Sequence, residues 1–134
     1  MKLVEFLPWL VVVAIVIIMI LIAINATPSS RHAWLAPAAF SALFFAWSLS
    51  AAIAEGPLGF WTEHTRNMWG NQIWFDLLLA VGIAWYLIVP RARSLGMPVL
   101  PWLLVIVCTG CIGFLALVAR VLYLQENTPH GRRI

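Results

Sequence analysis

Four apolar stretches, each long enough to cross a bilayer, occupy almost all of the 134 residues. Crossing the hydrocarbon layer takes roughly 20 apolar residues in a helix. Only helices and closed barrels satisfy their own backbone polar groups in lipid. The expected fold is therefore all-α: a polytopic membrane protein with transmembrane helices at about 6–26, 33–54, 72–89 and 101–124. A short interfacial amphipathic helix is expected at about 60–71, and the whole chain, 1–134, reads as a single transmembrane domain. Composition agrees, with 63% hydrophobic and 10% charged residues, against roughly 25% charged in a soluble protein. The net charge of +3 suits an anionic membrane surface and gives no argument for nucleic acid.

The runs differ in kind. Lys2 gives the first a positive start, as in a signal peptide. Its apolar run is too long for a signal's core, and Ile24-Asn25-Ala26 is a poor cleavage site, so an uncleaved helix is expected. The second is rich in Ala and Ser, including Ser41 and Ser48. Small residues let helix backbones approach closely, which places this span inside the bundle. Between the second and third runs, Phe60, Trp61, His64 and Met68 fall on one helical face, with Glu63, Arg66 and Asn67 largely on the other. That pattern fits a helix lying in the interface; a lid over a pocket is the alternative. Pro90 is expected to end the third span and begin a basic loop through Pro98. Gly110 and Gly113 read as a packing notch in the fourth. Of the eight Trp, most lie near span ends, where an aromatic belt sits.

Two charges lie within the runs. Asp76 is in the first turns of the third span and Arg120 near the end of the fourth. An intramembrane charge is expensive and usually paired or functional. Counted from a turn near Pro98, both are equally distant, so two straight antiparallel helices would bring them to one depth. A structural ion pair is the plainer expectation; proton relay or substrate contact is the functional one. Glu63 with Asp76 could form an acid–base pair above a hydrophobic cavity, against a simple solvated face for Glu63. Cys108 and Cys111 form a CxxC in an apolar run, where packing is expected rather than redox or metal chemistry. His32, His64 and His130 all lie outside the middle of any run, which disfavours haem or chlorophyll ligation. No cofactor or metal is expected, and no nucleotide-binding or hydrolase motif occurs.

The stretch NQIWFDLLLAVGIAWYLIVPRARSLGMPVLPWLLVIVCTGCIGFLALVARVLYL carries Asn71, Asp76, an Arg-containing loop before Gly96, then Arg120 and Tyr123. It resembles the short bacterial membrane proteins catalogued as domain of unknown function 2834. The resemblance implies a small helical bacterial inner-membrane protein and no particular activity. At fold level, carboxylates in a helical membrane bundle also resemble those of integral-membrane terpene cyclases.

Two functions compete. One is a small non-enzymatic membrane protein, an accessory subunit of a larger complex whose partners are the lipid bilayer and other membrane subunits. The other is a lipid- or isoprenoid-directed enzyme or carrier, with Asp76 and Glu63 as the candidate catalytic carboxylates. The positive-inside rule, applied to Arg91 and Arg93, puts their loop in the cytoplasm and both termini outside.

Overall fold

A computed structural model describes residues 3–24 and 31–128. Lys2, the Asn25–Ala26 end of the first run, the loop through Ser30, His130 and the tail arginines lie outside the described residues. The chain falls into two compact units, residues 1–30 and 31–134.

The first unit is α1, Leu3–Ile24. It spans 22 residues, about 33 Å, with Glu5 in its first turn and Pro8 inside. Apart from the half-buried Ile18, its long side chains from Trp9 to Ile24 are exposed, as a helix meant for lipid presents them.

The second unit holds α2 (Leu35–Glu55), α3 (Gly59–Thr65), α4 (Met68–Ser94), α5 (Val99–Thr109) and α6 (Cys111–Asn127). All described regular structure is helical. By length and composition, three helices can cross a membrane: α1, α2 and α4. The expected fourth span does not form. Its residues split at Gly110 into α5, with 11 residues, about 16 Å long, and α6, with 17 residues, about 25 Å long. Neither reaches the ~30 Å of hydrocarbon.

Gly110 causes the split. Its φ of 59° and ψ of −128° lie in a region only glycine occupies without strain. Its N–H donates to the Ile106 carbonyl at 2.6 Å, closing α5, and its own carbonyl accepts from Phe114 N, opening α6. The chain then folds back. A Cβ on Gly113 would sit 2.6 Å from Thr109 Oγ1 and 2.9 Å from Val105 Cγ1, so α5 and α6 touch where Gly113 has no side chain. The glycines thus divide the labour: Gly113 is the packing notch the sequence suggested, and Gly110 is a turn.

The direction of α6 follows from its contacts. Ser41 Oγ donates to Ile112 O at 2.9 Å, the Trp34 and Tyr123 rings meet edge-on with centroids 5.4 Å apart, and His32 N donates to Glu126 Oε2 at 3.1 Å. Successively later residues of α6 meet successively earlier ones before and in α2, so the two run antiparallel. Gln125 of α6 accepts from Arg91 of α4 through Nε and Nη2, the latter at 3.2 Å, its amide orientation being set by that pattern. The start of α2, the end of α4, the start of α5 and the end of α6 therefore share one end of the unit. The α5–α6 pair is a helical hairpin that enters from this end and returns to it.

The core sits at the same end. Ala92, Met97, Ile106, Leu117 and Val121 are buried together, with Trp85, Ile88, Trp102 and Phe114 packed around them. Two corrections to the expected boundaries build it. Pro90 does not end α4, which runs on to Ser94. The ring costs one backbone hydrogen bond, and the added turn puts Ala92 into the core with no exposed surface. Gly96, at φ 71°, then stops the helix: its N–H reaches Arg93 O at 2.9 Å and Met97 N reaches Ala92 O at 3.0 Å, a left-handed cap that glycine favours.

At the other end, the expected interfacial helix is shorter than predicted. It stops at Thr65, and Met68 belongs to α4. Asn67 makes the break: it is extended, at φ −158° and ψ 175°, and its side chain accepts from Gly70 N at 2.8 Å, a typical N-cap bond. Asn71 Nδ2 donates to His64 O at 2.7 Å. A Cβ on Gly70 would collide with the Glu63 carbonyl oxygen. His64 stacks on Trp74 at 4.7 Å between centroids. These contacts fold α3 back onto the first turns of α4.

Candidate functional site

A groove of about 610 Å³ runs between α2, α5 and α6. Trp34, Tyr123 and Arg120 stand toward the basic end of the unit. Ala38, Ser41, Ala42, Ala116 and Ile112 continue the groove inward to Phe45, and Trp102 of α5 contributes to its wall. The sequence dictates this shape. Alanines at 38 and 42, one helical turn apart on α2, and at 116 on α6, leave space where larger residues would interdigitate. Ser41 satisfies its hydroxyl on the Ile112 carbonyl, so its polar atom costs little in an apolar wall.

Arg120 is the charge in the groove. Its guanidinium carbon lies 5.7 Å from the centre of the Tyr123 ring, within cation–π range. It makes no hydrogen bond or ion pair with a carboxylate among the described residues. The nearest acid on the same helix end, Glu126, is held elsewhere: its two oxygens accept from His32 N at 3.2 and 3.1 Å, with His32 Nδ1 4.0 Å away. That bond fastens a left-handed backbone, φ 73° at His32, which a non-glycine residue adopts only under constraint.

The expected Asp76–Arg120 ion pair is not formed. The ion pairs among the described residues are His32–Glu126 and Arg66–Glu63. Equal depth assumed two straight spans; the fold-back at Gly110 removes it. Arg91 and Gln125 mark one level on the parallel helices α4 and α6. Counting back from that level, Asp76 is about 15 Å deeper than Arg120. Asp76 also lies two residues past Trp74, about 200° around the helix. Trp74 packs against α3, so Asp76 projects from the opposite, exposed face. No α4 residue lines the groove. Glu63 pairs with Arg66 at 3.3 Å and is not joined to Asp76. The two carboxylates expected to share acid–base work are thus on different faces.

Of the expected packing residues, Ser41 joins α2 to α6 and Gly113 joins α5 to α6. Ser48 is half-buried with no hydrogen-bond partner among the described residues. Cys108 and Cys111 flank the Gly110 turn as free thiols. No cluster of three potential metal-ligating side chains occurs among the described residues. The groove itself was missed in the sequence. Its signal was the spacing of Ala38 and Ala42, which the small-residue surface of α2 contained but did not single out. Compared with family models, curated proteins and solved structures, the chain gives no match.

Proposed function

We propose that the chain is a small non-enzymatic integral membrane subunit that completes its packing against another membrane protein. The observation that carries this reading is Asp76, an exposed carboxylate on a candidate span with no hydrogen-bond or ion-pair partner among the described residues. Its face of α4 also presents Leu79, Ile83 and Leu87, which are 66%, 62% and 68% exposed. An ionised side chain on an otherwise apolar face is costly in lipid, and a donor on a neighbouring chain is the direct remedy. The alternative, a lipid-directed enzyme built on Asp76 and Glu63, loses support because those carboxylates do not converge.

The resemblance to domain of unknown function 2834 rests on the quoted stretch from Asn71 to Leu124 and adds no activity. The hairpin supports a reading of the orientation. Among the described residues, Arg31, Arg91, Arg93 and Arg120 lie at or toward one end of the second unit, and Arg66 lies at the other. The positive-inside rule then puts the end with four arginines in the cytoplasm of a bacterial inner membrane. On this reading the end of α6 lies on the same side as Arg91 and Arg93.

The test is mild solubilisation from the native membrane followed by native mass spectrometry, comparing wild type with Asp76→Asn. A defined complex that loses its second component in Asp76→Asn, while the monomer's helicity and melting stay unchanged, is the expected result. Wild type running as a lone chain, or a complex indifferent to Asp76, contradicts the reading.

A further inference from the structure

We infer that the groove between α2, α5 and α6 holds one acyl chain of an anionic lipid whose headgroup rests on the Arg120 guanidinium. This site is separate from the Asp76 face and does not rest on the subunit reading. Four observations combine. First, the groove has a polar end and an apolar end in the order a lipid requires. Arg120, Tyr123 and Trp34 stand toward the end of the unit that reaches the membrane surface, and Ala42, Ile112 and Phe45 lie deeper. Trp and Tyr favour headgroup level, and a long arginine side chain reaches toward it while its stem stays in the apolar layer.

Second, the charge is available. Stacking beside Tyr123 steadies the guanidinium but uses none of its five N–H donors. Those donors match phosphate or carboxylate oxygens in paired geometry. Third, the competing acid is engaged: Glu126 is bonded to the His32 backbone N–H and sits beside its imidazole. Fourth, the length fits. From Arg120 to Ile112 along α6 is eight residues, about 12 Å, so the groove takes the upper part of an acyl chain directly beneath its headgroup. The groove is shallow and open along one side, as suits an acyl chain that keeps its other side against the surrounding lipid. A zwitterionic lipid would offer the same chain with its phosphate already neutralised by its own cation, which makes the preference one for net negative headgroups.

The test uses the full chain, stripped of native lipid and reconstituted in nanodiscs of phosphatidylcholine and phosphatidylglycerol with identical acyl chains. Native mass spectrometry after release counts the lipids retained. Wild type is expected to keep one phosphatidylglycerol in preference to phosphatidylcholine. Arg120→Gln should cut that preference about tenfold or more, the weight of one charge-assisted hydrogen bond. Arg93→Gln, an exposed charge at the same end and outside the groove, should leave it intact. Ala42→Phe, which fills the exposed groove wall, should reduce retention of both lipids. Equal retention of the two lipids by wild type overturns the inference. So does a preference unchanged in Arg120→Gln, or one lost equally in Arg93→Gln, which would be general surface charge. Displacement of the lipid by millimolar inorganic phosphate would reduce the site to simple anion binding and also overturns it. If Arg120→Gln does not fold, Ala42→Phe decides: undiminished phosphatidylglycerol retention there contradicts an acyl chain in the groove.

Discussion

The two ends of the second unit are built on opposite plans. At the end that carries Arg31, Arg91 and Arg93, the α5–α6 hairpin fills the space between α2 and α4, and every buried hydrophobic side chain among the described residues lies between Ala92 and Val121. At the other end, α2 has no buried residue, and α4 gains only the short α3 on its Trp74 face. Within this unit, half the depth is packed by its own helices and half is not. Hydrophobicity does not distinguish the ends, since lipid tails are as apolar as Leu. Close packing does, and it depends on where the glycines let the chain turn.

The same substitution at the two ends breaks this comparison most sharply. Leu117 is fully buried, while Leu79 is 66% exposed. Leu117→Ala should cost about 2–5 kcal/mol by transfer and cavity terms. Leu79→Ala should change the stability of the isolated chain by less than about 0.5 kcal/mol, as for exposed sites generally. Reversible unfolding of the purified protein in mixed micelles measures both. Equal losses would mean that the open end is packed too.

Gly110→Ala sharpens the cause. A side chain at φ 59°, ψ −128° is strained by about 1–3 kcal/mol. The variant should lose stability by that amount, or straighten the break into a single longer helix. A change near zero with the hairpin intact would show that the turn is not set by glycine. A smaller loss than at Leu117 or Gly110 is expected from Glu126→Ala. It removes the half-buried acceptor that holds His32 in a left-handed backbone. A loss of about 1 kcal/mol is expected, with looser packing of Trp34 on Tyr123 visible in Trp fluorescence.

Much of this architecture is legible in the sequence, and the misses have physical causes. Long apolar runs identify α1, α2 and α4, because length and composition alone decide whether a helix can cross. The small-residue face of α2 lies against α6, where Ser41 and the alanines allow close approach, but the expected place inside the bundle is not what forms, since α2 has no buried residue. The fourth run deceives because a largely apolar stretch of 24 residues, 101–124, describes a straight span and a folded hairpin equally well. Only the backbone dihedrals of Gly110 separate them, and a glycine in an apolar run reads as readily as a packing notch. The Asp76–Arg120 pairing failed with it, being a depth argument resting on straight helices. Pro90 misled in the other direction: the sequence treats proline as a stop, while burial of Ala92 and the Arg91–Gln125 contact outweigh one missing hydrogen bond. At Asn67, a capping residue was read as part of a polar helix face, which merged α3 with the start of α4.

The return of the hairpin is tested most directly by sidedness. In a Cys108→Ser/Cys111→Ser background, single cysteines at Ser94, Thr128 and Thr62 are exposed in turn to a membrane-impermeant maleimide on sealed vesicles. If α5 and α6 enter and leave by the same face, positions 94 and 128 react from one side and position 62 from the other. If position 128 reacts together with position 62, the fourth run crosses the membrane and the hairpin is wrong.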